Sequence, residues 1–567
     1  MKAFLVFSSL FALLASSFAS AAIVEHSFTV KNFNVTRLCN TQTITAVNGR
    51  VPGPRIDVRE NDTLVVHVFN GSPHNVTIHW HGIFQIRSQW ADGPEYVTQC
   101  PIRPGQKYTY RFTITGQEGT LWWHAHSSFL RTYVYGALII RPRHGCPYPF
   151  PKPHKEVPIL LGEWWKSDIN QIFNRIQVTG DLVPPSDAFT INGFPGDLYN
   201  CSRDHAFKFK VKQGRIYLLR IVNANLISQM FFKVANHKFT VVAVDAGYTT
   251  PYVTDVVVIA PGQTTDVLLK ADQPVGSYYM AASAYVTTQN IGFDNTTTRG
   301  IVVYKGASKA TPPSMPTLPA FNDTRTAHKF YTNLTGLVGG PHWTDCPQEV
   351  DEQMFITVGL NLDFCGRNRT CLGPSGFRFS ASMNNESFVI PSDKGSSMLE
   401  AFFNNKEGVY TRDFPNNPPV FLDFTNPNIS FDLSKVFAPK STKVKTLKFN
   451  STVEIVFQNT AFVGRENHPM HIHGLNFYVL AQGFGMFDPS RDRRKLNMVN
   501  PQMRNTVAVP TGGWAVIRFK AKNPGVWFVH CHIDAHLPWG LDMAFEIENG
   551  PTPETTLPPP PPDLPIC

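Results

Sequence analysis

The chain has 567 residues, a formal net charge of +9 at pH 7 and a sequence pI near 9.0. This length exceeds what one hydrophobic core supports, and at roughly 150 residues per domain it predicts three or four domains. The positive charge favours adsorption to polyanions such as acidic polysaccharide, but nucleic acid is excluded as a partner because no basic stripe is interleaved with aromatic residues.

The N-terminus predicts export. Lys2 precedes an apolar run from Ala3 to Leu14, and small residues that suit signal peptidase follow. Serines interrupt the run well before the roughly 20 apolar residues that a membrane-spanning helix needs. We therefore predict a cleaved signal peptide at 1–21 and a secreted protein with no membrane anchor.

Twelve Asn-X-Ser/Thr sequons predict a glycosylated surface: Asn34, Asn61, Asn70, Asn75, Asn200, Asn295, Asn322, Asn333, Asn368, Asn385, Asn428 and Asn450.

Short β-rich runs bounded by Gly, Pro and Asn follow one another along the whole chain, from HSFTVKNFNV to VWFVHCHI. One order of elements occurs three times: a Gly/Pro-rich run, a strand that ends in Asn, and a turn that opens another strand. Pro-rich linkers separate the repeats, and the chain ends in PPPPPDLPIC. The pattern predicts an all-β protein of three consecutive Greek-key β-sandwich or barrel domains, at 22–145, 156–306 and 307–567.

Nine cysteines allow eight to pair and leave one over. Cys531 lies between two histidines, and metal ligation would explain how an unpaired thiol survives in an oxidising compartment. The pairing of the other eight stays open at this point: Cys39, Cys100, Cys146, Cys201, Cys346, Cys365, Cys371 and Cys567.

Ten of the nineteen histidines lie in four short clusters, and the other nine, such as His26, His67, His74 and His237, have no matching companions. The clusters contain His79 and His81; His124 and His126; His468, His471 and His473; and His530, His532 and His536. Residues two apart on a strand point to the same face. Four His-X-His pairs can therefore aim eight imidazoles at one point.

The same alternation predicts a second site. Cys531 must point away from His530 and His532, and His468 is an odd step from His471. A loop can bring His536 back to Cys531. Two histidines with one thiolate are typical of a blue-copper electron-transfer site, and eight neutral imidazoles suit several copper ions. Zinc is the alternative, but its sites usually have four ligands and no redox chemistry.

These clusters resemble the multicopper oxidases over essentially the whole mature chain, and HWHGIFQIRSQWADGP, LGEWWKSD and HCHIDAHLPWGL are most similar to plant laccases. The resemblance implies three cupredoxin domains and four copper ions, of which one is type 1, one type 2 and two type 3. It assigns His468, Cys531 and His536 to the type 1 copper and His79 and His471 to the type 2 copper. It assigns to the type 3 pair His81, His124, His126, His473, His530 and His532.

Further residues gain roles from the resemblance alone. Leu541 occupies the axial position of the type 1 copper as a non-coordinating side chain, whereas ascorbate oxidases carry methionine there, and Met543 is expected to pack in the core. Asp92 and Asp534 match acids near the copper cluster, where they would relay protons or fill structural roles. The resemblance also implies the disulfides Cys100–Cys567 and Cys39–Cys201.

The resulting functional hypothesis is a laccase, a benzenediol:oxygen oxidoreductase. A phenolic donor of the monolignol or flavonoid type would give electrons near His536, and Cys531 would pass them on for the reduction of O2 to water. We expect a monomer in the apoplast or cell wall that takes part in lignin or phenolic polymerisation or degradation. The alternatives are an ascorbate oxidase or metal oxidase of the same fold, or a wall protein without turnover.

Overall fold

The computed structural model describes residues 21–288, 291–366, 371–421, 423–424, 426, 435–460 and 463–567. The predicted signal peptide at 1–21 lies, except for its last residue, outside the described residues. The chain folds into three consecutive β units, each with two packed sheets. Strands alternate buried and exposed positions where one face meets the core, as in Lys107–Thr113, where Tyr108, Tyr110 and Phe112 point inward.

The first unit contains β1 Ile23–Arg37, β2 Asn40–Val47, β3 Ile56–Arg59, β4 Thr63–Asn70, β5 Ile78–His81, β6 Lys107–Thr113, β7 Gly119–Ala125 and β8 Tyr135–Arg141. Its sheets have the orders β2-β1-β4-β6 and β3-β8-β7-β5.

The second unit contains β9 Lys155–Trp164, α1 Ile169–Thr179, β10 Ala188–Ile191, β11 Lys208–Val211, β12 Ile216–Asn223, β13 Gln229–Val234, β14 Phe239–Val244, β15 Gly247–Thr254, β16 Val257–Ile259, β17 Thr264–Lys270, β18 Ser277–Tyr285, β19 Thr297–Tyr304 and α2 Thr324–Thr332. Its sheets have the orders β10-β9-β12-β17-β14-β15 and β11-β19-β18-β13-β16. Helix α2 packs Ala327 and Phe330 into the core of this unit.

The third unit contains β20 Glu352–Asp363, β21 Arg378–Met383, β22 Ser387–Phe388, α3 Met398–Asn404, β23 Lys440–Ser441, β24 Val444–Leu447, β25 Thr452–Asn459, β26 His468–Ile472, β27 Phe477–Phe484, α4 Pro489–Asp492, β28 Gln502–Arg504, β29 Thr506–Val509, β30 Gly513–Lys520, β31 Gly525–Cys531 and β32 Asp542–Ile547. Its large sheets have the orders β21-β20-β25-β30-β27-β28 and β24-β32-β31-β26-β29.

The three units share one topology. In each, the first strand pairs in parallel with a later one, as β1 with β4, β9 with β12 and β20 with β25. An antiparallel strand then continues the same sheet, namely β6, β17 and β30. The prediction of an all-β chain with three repeated domains is thereby confirmed.

Disulfides tie the units together. Cys39–Cys201 joins the first unit to the second, and Cys100–Cys567 holds the C-terminal tail against the first, as the resemblance implies. A third disulfide joins Cys365 to Cys371.

Of the eight cysteines that could pair, six form disulfides. Cys146 is exposed in the linker after β8, whereas Cys346 is buried in an apolar cluster with Tyr478 and Trp514, so each lacks a disulfide partner.

Of the sequons within the described residues, one does not lie on the predicted glycosylated surface; Asn368 and Asn428 lie outside those residues. Asn70 is 0% exposed, and its amide group donates hydrogen bonds of 2.7 Å to the backbone oxygens of His74 and Ile102. A glycan on this buried nitrogen would replace one of the two N–H groups and so remove one of these bonds, and Asn70 is therefore not a glycosylation site in the folded chain.

Candidate metal centres

Strand register brings the histidine clusters together. The antiparallel pair β5 and β7 sets His79 beside His124, and the pair β26 and β31 sets His471 beside His530. Three further histidines directly follow strand ends, where backbone hydrogen bonds fix them: His126 to Thr77, His473 to Phe528 and His532 to Pro469. All eight predicted imidazoles meet between the first and third units.

The eight histidines form three sets of ligand atoms, each set within 4.8 Å. The sets are His79, His81 and His471; His81, His124 and His532; and His126, His473 and His530. The Nε2 atom of His532 lies 3.1 Å from Nδ1 of His81, and the Nε2 atoms of His473 and His530 are also 3.1 Å apart. Such convergence of nitrogen atoms is typical of a site for several metal ions.

Hydrogen bonds orient six of the rings by their outward nitrogen, as in ligating histidines. The pairs are His79 Nδ1 with Asp92 O at 2.7 Å, His81 Nε2 with Asn505 Oδ1 at 3.0 Å, His124 Nδ1 with Ala125 O at 2.9 Å, His471 Nδ1 with Asn505 O at 2.8 Å, His473 Nδ1 with Asp92 Oδ2 at 2.9 Å, and His530 Nδ1 with Cys531 O at 3.0 Å.

Four of the inward nitrogens lack protein partners and therefore fit a metal. The buried Nε2 atoms of His79, His124, His126 and His471 make no hydrogen bond. Burial, reinforced by neighbouring imidazoles, holds the pKa values of His124 and His471 well below the usual range, so these rings are neutral and can donate lone pairs. Bare nitrogen donors without carboxylate suit copper and not calcium or magnesium.

A separate three-residue site surrounds Cys531. Its Sγ lies 3.2 Å from Nδ1 of His536 and 3.7 Å from Nδ1 of His468. The three side chains are buried, with accessibilities of 0% to 2%. Burial raises the pKa of the Cys531 thiol well above its usual value, so the thiolate forms when a metal ion displaces the proton.

The backbone positions Leu541 beside this site. Its N–H donates to His536 O and its carbonyl accepts from the N–H of Cys531, each at 3.1 Å. Leu541 and Met543 are both 0% exposed in the core of the third unit.

The predicted acids lie in different surroundings. Asp92 is 0% exposed, and its carboxylate contacts Nδ1 of His473 at 2.9 Å and approaches Nδ1 of His79 to 3.3 Å. Asp534 instead pairs with Arg131 at 2.8 Å. Burial raises the pKa of Asp534 to about 6, and the arginine opposes that shift.

Sequence reasoning missed Arg131, which joins all three units. Its Nη2 atom donates to His532 O at 3.1 Å and to Leu226 O at 3.2 Å, besides the bond to Asp534. Its Nη1 atom lies against the outward nitrogen of His532, which therefore faces a group that only donates. No local pattern marks Arg131, because its partners are far away in the chain.

Sequence reasoning also missed Glu466. Its Oε1 atom lies 3.2 Å from Nε2 of His536, the nitrogen that faces away from Cys531. Both residues line a cleft with apolar walls that include Leu360, Phe293 and Trp539. The sequence signal that could have identified Glu466 is its position two residues before His468.

Gly262 of the second unit is packed flat against the His532 ring. A Cβ atom here would lie 2.8 Å from Cγ of His532, and φ is +89°. We expect Gly262→Ala to lower copper content and to reduce oxidase activity by roughly 10-fold to 100-fold, since a displacement of ~1 Å can cost about 100-fold.

Gly214→Ala is the matched control for this change. Gly214 has a φ of +78°, and a Cβ added there would have no atom within 4 Å. Alanine at this position therefore introduces the backbone strain without a steric clash. Thermal unfolding of both variants gives the folded fraction. If the two variants then have equal activity per folded molecule, the contact between Gly262 and His532 does not have the role inferred here.

Comparisons with known proteins point to one family over nearly the whole chain. Multicopper oxidase family models match residues 29–145, 155–307 and 413–551. Laccase-7 of Arabidopsis thaliana is 61% identical over 99% of this chain and 98% of its own length. Laccase-24 of Oryza sativa subsp. japonica is 55% identical over 98% of this chain and 97% of its own length.

A solved structure adds support at lower identity. The crystal structure of the laccase from Botrytis aclada has a TM-score of 0.71 and 27% identity, and the match covers 95% of this chain and 89% of that one. The chain belongs to the multicopper oxidase family and is within it a laccase, an oxidoreductase with four copper ions.

Proposed function

We propose that His468, Cys531 and His536 hold the type 1 copper and that the eight histidines hold the other three ions. His79 and His471 take the type 2 ion, and the type 3 pair takes His81, His124 and His532 on one side and His126, His473 and His530 on the other. The observation that carries this proposal is the set of unpartnered inward nitrogens, of which those of His79, His124 and His471 belong to rings whose opposite nitrogen is hydrogen-bonded. Bound copper would supply one-electron chemistry at the first site and O2 reduction at the second.

Cys531 joins the two proposed sites. Its Sγ faces His468 and His536, while the rings of its neighbours His530 and His532 face the cluster. The Cys531 carbonyl also accepts a hydrogen bond from Nδ1 of His530 at 3.0 Å. A short covalent path, with this hydrogen bond beside it, therefore connects the thiolate to the second site.

The cleft at His536 supports a phenolic donor of the monolignol or flavonoid type. Its apolar walls suit an aromatic ring, and the carboxylate of Glu466 lies where a phenolic hydroxyl beside His536 could donate a hydrogen bond. Oxidised phenols would leave as radicals and couple outside the protein, as in lignin or flavonoid polymerisation.

A substrate panel tests the donor class. We expect turnover of monolignols and flavonoids to exceed that of ascorbate and ferrous ion, with coupled dimers among the products. A preference for ascorbate or ferrous ion would overturn this proposal in favour of another oxidase of the same fold.

Leu541 provides a test of the type 1 assignment. We expect Leu541→Met to lower the reduction potential, because a thioether adds a weak axial donor and stabilises Cu(II). Redox titration of the blue absorption measures the shift. Met543→Leu is the control, because this core residue should leave the potential unchanged, and an unchanged potential in Leu541→Met would contradict the axial placement.

Export is proposed from the sequence. The signal peptide at 1–21, the remaining sequons and the net charge of +9 support a glycosylated monomer held in the apoplast by acidic wall polysaccharide. Within the described residues, no helix combines the length and apolar character needed to cross a membrane. N-terminal sequencing of protein from the culture medium and salt elution from pectin test these points. The domain limits 22–145, 156–306 and 307–567 likewise stand as proposals; they count α2 with the third domain by chain order, although this helix packs against the second unit.

A further inference from the structure

A cavity of about 200 Å³ lies beside the eight-histidine cluster, separate from the donor cleft. Its lining includes His124, His126, Glu95 and Asp534. Of the eight histidines, His126 alone is not fully buried, so the cavity gives water a route to the cluster at this ring. The cavity therefore holds two carboxyl groups beside imidazoles that we have assigned to copper.

Glu95 is the carboxyl that the sequence did not single out. It follows the Asp92 turn, and the nearby hydroxyl of Ser127, the residue after His126, acts on its carboxyl group by favouring the ionised form. That hydroxyl oxygen in turn accepts the backbone N–H of Thr77 at 3.0 Å, which fixes its direction. Burial raises the pKa of Glu95 to about 7, so the group can hold and release a proton near neutral pH.

Oxygen reduction needs such a group, because one O2 takes up four electrons and four protons to form two waters. The four electrons come from four donor molecules. The imidazoles assigned to copper cannot carry the protons, because a ring nitrogen that binds a metal ion has no lone pair left to take up a proton. Asp534 is bound to the Arg131 guanidinium, which favours its ionised form.

We propose that Glu95 is a second proton-carrying carboxyl of this cavity and delivers protons from solvent toward the cluster, in parallel with Asp534. The protonated carboxyl gives its proton to water in the cavity beside His126, becomes a carboxylate, and regains a proton from solvent. This inference rests on the proposed copper assignment of His126.

The titratable groups near Glu95 come from several elements. They are Tyr96 on its own loop, Tyr110 on β6, His124 and His126 at the end of β7, and Asp534 after β31. The tyrosines ionise only at alkaline pH, and the pKa values of both imidazoles lie well below neutral. Burial raises the pKa of Asp534 to about 6 and that of Glu95 to about 7, so of the two carboxyl groups Glu95 ionises closer to pH 7.

The test compares Glu95→Gln with the wild-type holoenzyme during reoxidation of the reduced protein by O2. We expect reoxidation below pH 7 to slow about tenfold, less than the ~100-fold or more typical of losing a lone general acid, because Asp534 remains. The wild-type rate should fall as pH rises through 7, when Glu95 loses its proton, and the variant should lack this step. Glu95→Asp should restore the step in part.

Tyr96→Phe is the control, because it lines the same cavity and keeps its shape without carrying a proton near pH 7. We expect its reoxidation rate to stay within about twofold of wild type. Anaerobic bleaching of the blue absorption by a phenol separates the two proposals, since it should be unchanged in Glu95→Gln. Failed bleaching would instead question the copper assignment.

Infrared titration supplies a readout that needs no turnover. The wild-type chain, with or without copper, should show carboxylic acid C=O absorption that disappears near pH 7. Glu95→Gln should lose the part contributed by Glu95 and keep the part contributed by Glu163, whose pKa burial also raises to about 7. An undiminished amplitude of this absorption change in Glu95→Gln, or an unchanged pH profile of reoxidation, would overturn the proposal.

Discussion

Cys531→Ser should reduce phenol oxidation at least ~1,000-fold, equivalent to about 4 kcal/mol of activation free energy. The thiolate is the only sulfur that faces His468 and His536 in the described site, and serine offers no comparable ligand for a blue-copper ion. The variant should lose the intense blue absorption and retain up to three copper ions. Activity, absorption and copper content of the purified variant measure these effects.

Cys346→Ser is the matched control, since Cys346 is also a buried free thiol but lies in an apolar cluster of the third unit. Both variants place a hydroxyl where a thiol was, at a cost of about 1–3 kcal/mol if the hydroxyl finds no partner. Only Cys531→Ser should lose activity while both remain folded. Oxidase activity that persists in Cys531→Ser would refute the proposed path.

Asp92→Asn should lower activity or cluster copper affinity by roughly 10-fold to 100-fold, the usual effect of changing a hydrogen-bond partner of a metal ligand. The Asp92 carboxylate accepts from Nδ1 of His473, and its backbone oxygen accepts from Nδ1 of His79. Asparagine keeps the backbone contact but loses the charge, so His473 becomes a weaker ligand. Copper content and the reoxidation rate measure the change.

Asp62→Asn controls for the loss of a buried carboxylate in the same unit. Asp62 is 8% exposed and accepts backbone N–H groups of Ala22 and Arg59, with no contact to the cluster histidines. It should lower stability without lowering activity per folded molecule. Wild-type copper retention in Asp92→Asn would mean that the carboxylate does not support the histidine ligands.

Local alternation explains why much of the site could be predicted. His79 and His81 lie on one regular strand, so a spacing of two residues fixed their common face, and the odd step from His471 separated His468 from the cluster. The three repeated units were likewise predictable, because each repeat carries its own turn and strand signals.

Residues that act across units could not be predicted from the same patterns. Arg131, Gly262 and Asn505 contact cluster histidines that are distant in the chain, and nothing in their own neighbourhoods marks them. The full cysteine pairing stayed open for a similar reason, because spacing does not reveal that Cys146 is exposed while Cys346 is buried. Such contacts depend on how the units pack.

The central claim is that eleven side chains divide into a three-residue copper site and an eight-histidine cluster. Anomalous diffraction at the copper edge from crystals of the holoenzyme tests it most directly. The account predicts one copper peak between His468, Cys531 and His536, and three peaks among the eight imidazoles. A cluster without copper, or a metal other than copper bound to Cys531, would contradict it.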